Sequence, residues 1–194
     1  MIRLVSFRSV DSGDGVKIVA DRDGEKISLV ISADDFLSLS VVKGECDEAL
    51  FEEISVSASN FSAYKSAIRM LSVGQCSKKA IYDKLRRRSF SHSAALYASE
   101  KVFSAGYINE KWQIENYLKT LICKKFCGRR KAVPFLLAKG YKSADINEVL
   151  EENFSESDFA KAKEQFLLKK FGKTKADSAA ELAEMKKALY KQGF

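Results

Sequence analysis

Apolar positions change their period once along this chain. Near the N-terminus they fall in short β-branched runs. Val16-Lys-Ile-Val-Ala20 and Lys26-Ile-Ser-Leu-Val-Ile31 flank Asp21-Arg-Asp-Gly24, a pattern that predicts a hairpin around an Asp-Gly turn. Asp34-Asp35-Phe-Leu37 offers a place for a short helix, and Val41-Val-Lys-Gly-Glu45 reads as a turn. A stretch rich in Ser and Glu, Glu52 to Asn60, then leads onward. After residue 60 the spacing becomes helical. Phe61, Tyr64, Ile68 and Leu71 follow Asn60, a good N-cap, and Gly74 ends that helix. Ser77 caps the next, with Ile81 and Leu85 on one face. Ser91 or Ser93 begins a third, reaching Gly106. Asn109 starts a long helix through Trp112, Tyr117, Leu121 and Phe126 to Gly128. Ser155-Glu-Ser-Asp158 reads as a capping box with Asp in place of Glu, opening a helix that Gly172 stops.

The helical part repeats. Leu85-Arg-Arg-Arg-Ser-Phe90, Leu136-Leu-Ala-Lys-Gly-Tyr141 and Leu189-Tyr-Lys-Gln-Gly-Phe194 each place an aromatic five positions after Leu. Those aromatics lie 51 and 53 residues apart. Lys124-Lys-Phe126 and Lys169-Lys-Phe171 form a second recurring marker. A fixed period with about three helices per unit predicts tandem helical modules. The expected organisation is a segment 1–60 with the hairpin, module one over 61–106, module two over 107–154 and module three over 155–194. The third is incomplete: the chain stops at Phe194, where the earlier units continue into another helix.

Composition narrows the class of function. The 194 residues are 46% hydrophobic and 30% charged, as in a globular protein of one domain or two small ones. No apolar run is long enough for a membrane span, and Arg3 and Arg8 interrupt the N-terminal run, so a soluble, cytoplasmic protein is expected. Cys46, Cys76, Cys123 and Cys127 form no C-x-x-C pair and read as buried or half-buried free thiols. With a single His92 there is no convincing nucleophile–base set, no metal site and no P-loop, and Asp11-Ser-Gly-Asp-Gly15 lacks the distal Glu of a calcium loop. No enzyme, cofactor or metal is expected.

Charge is the informative feature. The net +7 divides into 6 Lys/Arg against 12 Asp/Glu over residues 1–60, and 27 against 14 over 61–194. From Lys119 to Lys142 there are eight positive residues and no acid. Helix C-terminal turns favour single cations, but they do not account for an acid-free run of 24 residues. A surface facing phosphates or an acidic partner does. Of the accompanying aromatics, Trp112, Tyr117, Phe126 and Phe90 read as core, and Tyr82 as exposed.

Several of these stretches resemble one family. Ala67-Ile-Arg-Met-Leu-Ser72, followed by Ser77-Lys-Lys-Ala-Ile-Tyr-Asp-Lys-Leu-Arg-Arg-Arg-Ser-Phe90, is similar to the first module of bacterial RecX regulatory proteins. Gly106-Tyr-Ile-Asn-Glu-Lys-Trp112 resembles the junction into their second module. Gly128-Arg-Arg-Lys-Ala-Val-Pro-Phe-Leu-Leu-Ala-Lys-Gly-Tyr141 resembles their Gly-basic-basic helix. Ser89 stands where Gly is usual, and Pro134 lies inside a helix the family leaves uninterrupted, so that helix should kink or start later.

The resemblance implies a mainly α fold of tandem three-helix modules in a curved rod, preceded by the hairpin segment. It implies a non-enzymatic regulator that binds the RecA filament on single-stranded DNA and inhibits ATP hydrolysis and strand exchange. The expected contact residues are Tyr82, Lys84, Arg86, Arg87 and Arg88 in module one, and Lys124, Lys125, Arg129, Arg130 and Lys131 in module two. A monomer is expected, with binding to bare single-stranded DNA weak or through RecA. The alternative is a helix-turn-helix-like protein acting on DNA directly, which would bind bare DNA tightly and with strong salt dependence.

Overall fold

The computed structural model describes all residues, Met1–Phe194, as two units, Met1–Tyr107 and Ile108–Phe194. In the first, β1 (Ile2–Val10), β2 (Gly15–Arg22), β3 (Glu25–Ser32) and β4 (Gly44–Cys46) form an antiparallel sheet in the order β3-β2-β1-β4. The expected hairpin is β2–β3. Asp23 at φ +53° and Gly24 at φ +89° make its two-residue turn, and both must be left-handed for the strands to keep their twist. Strand β1 left a weaker trace in the sequence. Ile2 and Leu4 are buried and Arg3 and Val5 exposed, but the register shifts between Leu4 and Ser6, which breaks the alternation. Val41–Glu45 is not simply a turn, because Gly44–Cys46 pairs with Ile2–Leu4 as a short edge strand.

Helix α1 (Ala33–Ser38) is capped by Ser32, whose Oγ accepts from Asp35 N at 3.0 Å. Helix α2 runs Glu48–Val73. Asn60 is therefore mid-helix and not a cap; Asp47 is the cap, accepting from Leu50 N at 2.7 Å. The Ser/Glu stretch read as a connection is helical because its hydroxyls are satisfied there. Ser55 Oγ donates to the Phe51 carbonyl at 2.8 Å, and Ser57 Oγ donates to Asp35 Oδ2 at 2.6 Å. The boundary expected at residue 60 thus falls inside one helix. Phe51, Ile54 and Ala58 of its first half join the core beneath the sheet with Leu4, Ile18 and Ile31. Helix α2 also packs on α4 (His92–Ser104), which with α3 (Lys78–Arg87) completes a three-helix group.

In the second unit, Asn109 caps α5 (Glu110–Lys119), accepting from Trp112 N at 3.0 Å. The long helix expected to reach Gly128 stops earlier. Thr120–Lys124 widens into a π-helical turn, and Phe126 at φ +52° turns the chain away. Gly128 starts the next helix, α6 (Arg129–Ala138), rather than ending the last. Pro134 lies within α6, and the helix still begins at Arg129. Then come α7 (Ser143–Asn153), α8 (Glu156–Phe171) and α9 (Ala179–Gln192). Ile114, Leu118, Ile122, Leu136, Ile146 and Leu150 form a core with Phe159 and Ala162 of α8 against it. At the start of α8, the Asp158 carboxylate accepts from Ser155 N at 2.9 Å, as the capping box predicts.

The repeated sequence marker has one physical meaning. In all three copies the aromatic amide donates back across a helix end: Phe90 N to Leu85 O at 3.2 Å, Tyr141 N to Leu136 O at 3.3 Å, Phe194 N to Leu189 O at 3.0 Å. The residue before each aromatic is left-handed, Ser89 at +65°, Gly140 at +89° and Gly193 at +93°. These are Schellman motifs closing α3, α6 and α9. The fold is mainly helical with a small N-terminal antiparallel sheet, as expected. No helix is long and apolar enough to cross a membrane.

Two expectations about burial are corrected. Trp112 is 52% exposed, because it sits on the first turn of α5 opposite Gln113 and Ile114, which face the core. Cys123 is exposed while Cys46, Cys76 and Cys127 are buried.

Candidate partner interface

The first basic cluster lies at the end of α3. Its two least exposed members each have a side-chain partner: Tyr82 Oη bonds His92 Nδ1 at 2.8 Å, and Lys84 Nζ donates to the buried Cys76 Sγ at 2.9 Å. The structure thus makes Tyr82 half-buried and not the freely exposed ring the spacing suggested. Arg86, Arg87 and Arg88 are exposed. Arg86 donates to the Phe90 carbonyl at 2.5 Å, Arg87 to the Asp83 carbonyl at 3.3 Å and Arg88 to Ser66 Oγ at 2.9 Å. Each acceptor is neutral. The hydrogen bonds hold the guanidinium groups in place while their charge stays uncompensated. Exposed cations at a helix C-terminus also suit its dipole.

The second cluster lies between the π-helical turn and the first turn of α6. Lys124 and Lys125 are exposed at the end of the π-helical turn. Arg129, Arg130 and Lys131 are exposed on α6. The Arg129 guanidinium lies 5.8 Å from the Phe159 ring centre, and that of Arg130 lies 5.1 Å from the Tyr190 ring centre. Arg130 also donates to the Phe194 carbonyl, and Lys131 Nζ donates to Gln192 Oε1 at 2.8 Å. Within the acid-free run, Lys119 has a carboxylate partner, Glu115 at 2.6 Å, supplied from the preceding helical turn. None of the ten expected contact residues is ion-paired with an Asp or Glu side chain.

Sequence reasoning missed who else stands at the second cluster. The closing turn of α9 abuts the opening turn of α6. Gly128 N donates to Gln192 O at 2.9 Å, and Arg130 N donates to Gly193 O at 3.2 Å. Gln192 Nε2 reaches back to the Lys125 carbonyl at 2.7 Å. Carbonyls left over at one helix end so satisfy amides left over at another. The approach is so close that a Cβ on Gly128 would stand 2.1 Å from Gly193 O. Arg130 and Lys131 therefore hold α9 as well as carrying charge. The available signal was the repeat itself, Leu189-Tyr-Lys-Gln-Gly-Phe194, whose Tyr190 and Lys191 are brought beside Arg129 and Arg130.

No three His, Cys, Asp or Glu side chains converge as a metal group. Burial pushes the Cys127 thiol up despite the nearby Lys131 and Lys125.

No protein-family model matches the chain. Regulatory protein RecX of Caldanaerobacter subterraneus subsp. tengcongensis is 29% identical over 178 residues, spanning 89% of this chain and 84% of that protein. Regulatory protein RecX of Chlorobium phaeobacteroides is 30% identical over 132 residues, 68% of this chain and 85% of its own length. A crystal structure of regulatory protein RecX superposes with a TM-score of 0.79 at 18% identity, over 100% of this chain and 95% of the other. RecX from Lactobacillus salivarius superposes with a TM-score of 0.60 at 20% identity, over 70% and 88%. The structural likeness establishes the fold, and the sequence likeness to the Chlorobium protein over most of its length establishes more: the chain belongs to the RecX family of regulatory proteins.

Proposed function

We propose that this chain is a non-enzymatic, cytoplasmic, monomeric regulator of the RecA recombinase. It binds the RecA filament on single-stranded DNA and inhibits ATP hydrolysis and strand exchange. The observation that carries the reading is the set of cations at the ends of α3 and of the π-helical turn, held by neutral acceptors or left facing solvent, in a chain similar to regulatory proteins named RecX. Uncompensated charge is retained at cost in self-repulsion and is useful where a polyanion or an acidic protein surface is met. Arg86, Arg87, Arg88, Lys124, Lys125 and Arg129 make the charge contacts. Tyr82 and Lys84 shape the first cluster, and Arg130 and Lys131 secure the second as well as contributing charge.

Co-sedimentation with RecA filaments assembled on single-stranded DNA tests this. The chain pellets with filaments under salt where it stays in solution with bare DNA. Lys124→Glu with Lys125→Glu reduces the pelleted fraction severalfold without changing the thermal melt, because neither side chain supports the core. Equal pelleting of that double variant would remove the second cluster from the interface. Tight, salt-dependent binding to bare DNA without preference for filaments would favour a protein acting on DNA directly.

A further inference from the structure

Tyr190 is 72% exposed, an unusual setting for a ring this close to a packed helix junction. It lines a cleft of 750 Å³ with Arg129, Arg130, Lys131 and Lys191. The Arg130 guanidinium lies 5.1 Å from the ring centre and is held there by its bond to the Phe194 carbonyl. The ring is thus oriented from one side and open on the other. Four cations line the cleft, and no Asp or Glu side chain does. The amides at the start of α6 are already used by Gln192 and Gly193 carbonyls, so the attraction is that of side chains and not of a bare helix N-terminus.

An oriented, solvent-facing aromatic ringed by cations matches a single strand of nucleic acid. A base has a π-face for the ring, and its neighbouring phosphates meet the charges. A peptide acidic enough for four cations would have no use for the open ring face. A duplex keeps its bases stacked and offers none. We propose that this cleft binds one strand of a nucleic acid, with Tyr190 as the base-stacking platform and Arg129 and Lys191 as phosphate contacts. Arg130 positions the ring. The inference deepens the regulator reading by naming the ligand of its second basic cluster, and rests on that cluster facing a polyanionic partner.

Fluorescence anisotropy without RecA tests it, using a fluorescein-labelled oligothymidylate and an abasic strand of equal length and charge. Wild type binds the oligothymidylate about 5- to 100-fold tighter, the range for one stacked base. Tyr190→Ala erases that preference and leaves abasic-strand binding unchanged. Tyr190→Phe keeps the preference, since it retains the ring. Lys191→Ala weakens both strands equally. Equal affinity of wild type for the two strands, or a preference that survives Tyr190→Ala, overturns the site. Inhibition of RecA is read in parallel. Inhibition by wild type without base preference removes only the stacking site. Base preference without inhibition supports the site and removes the regulator reading.

Discussion

Ser89 holds a left-handed backbone at φ +65° where the two equivalent positions, Gly140 and Gly193, are glycine. A side chain costs about 1 kcal/mol in that region, and glycine restores part of it as unfolded-state entropy. Ser89→Gly is therefore expected to stabilise the chain by about 0.5 kcal/mol, read as a raised melting temperature; a lowered one would show that the serine serves another purpose. Elsewhere Tyr141 Oη donates to Gln113 Oε1 at 2.7 Å, and both residues are buried. Tyr141→Phe strands a buried acceptor and should cost about 1–3 kcal/mol in a denaturant titration. At the start of α8, hydrogen bonds from the Ser155 amide and hydroxyl hold the Asp158 carboxyl below its ordinary value of 3.8. A depressed acid stabilises the folded state above that value and ceases to do so as pH falls through the folded one. The cap should weaken below about pH 4, and in Asp158→Asn the helix should lose that part of its acid sensitivity.

At the scale of elements, caps and turns were legible and helix continuity was not. Ser77, Ser91, Asn109 and the Asp23-Gly24 turn act as their residue types predict, since each signal is local. Asn60 was a false cap because Asp47 starts the helix earlier and the serines between them bond within it. Nothing local marks the π-helical turn or the stop at Phe126, which the packing of Leu121 and Ile122 into the second core accompanies. The cations of the candidate site were visible in composition, but their partners lie far along the chain. Lys131 and Gln192 are separated by 61 positions, and no spacing argument joins them. That junction tolerates no side chain at Gly193, where a Cβ would stand 2.5 Å from Lys131 N at a backbone φ of +93°. Gly193→Ala should cost about 2 kcal/mol or more. It should also raise hydrogen exchange at the Gly128 and Arg130 amides, which donate to Gln192 and Gly193 carbonyls. Unchanged protection there would mean the junction does not depend on the close approach.

On the scale of the whole molecule, an acidic N-terminal sheet segment precedes a run of helices, and basic clusters lie at helix ends. The sheet and the first three-helix group share α2, so the acidic segment is built into the first unit rather than appended to it. The second unit carries the acid-free run together with the α6–α9 junction. The most direct measurement is DNA-dependent ATP hydrolysis by RecA on single-stranded DNA as this protein is titrated in. The account predicts that hydrolysis falls at well below one copy per RecA protomer, and that Lys124→Glu with Lys125→Glu shifts the titration to higher concentration. An undiminished rate at a full equivalent of folded protein would contradict it.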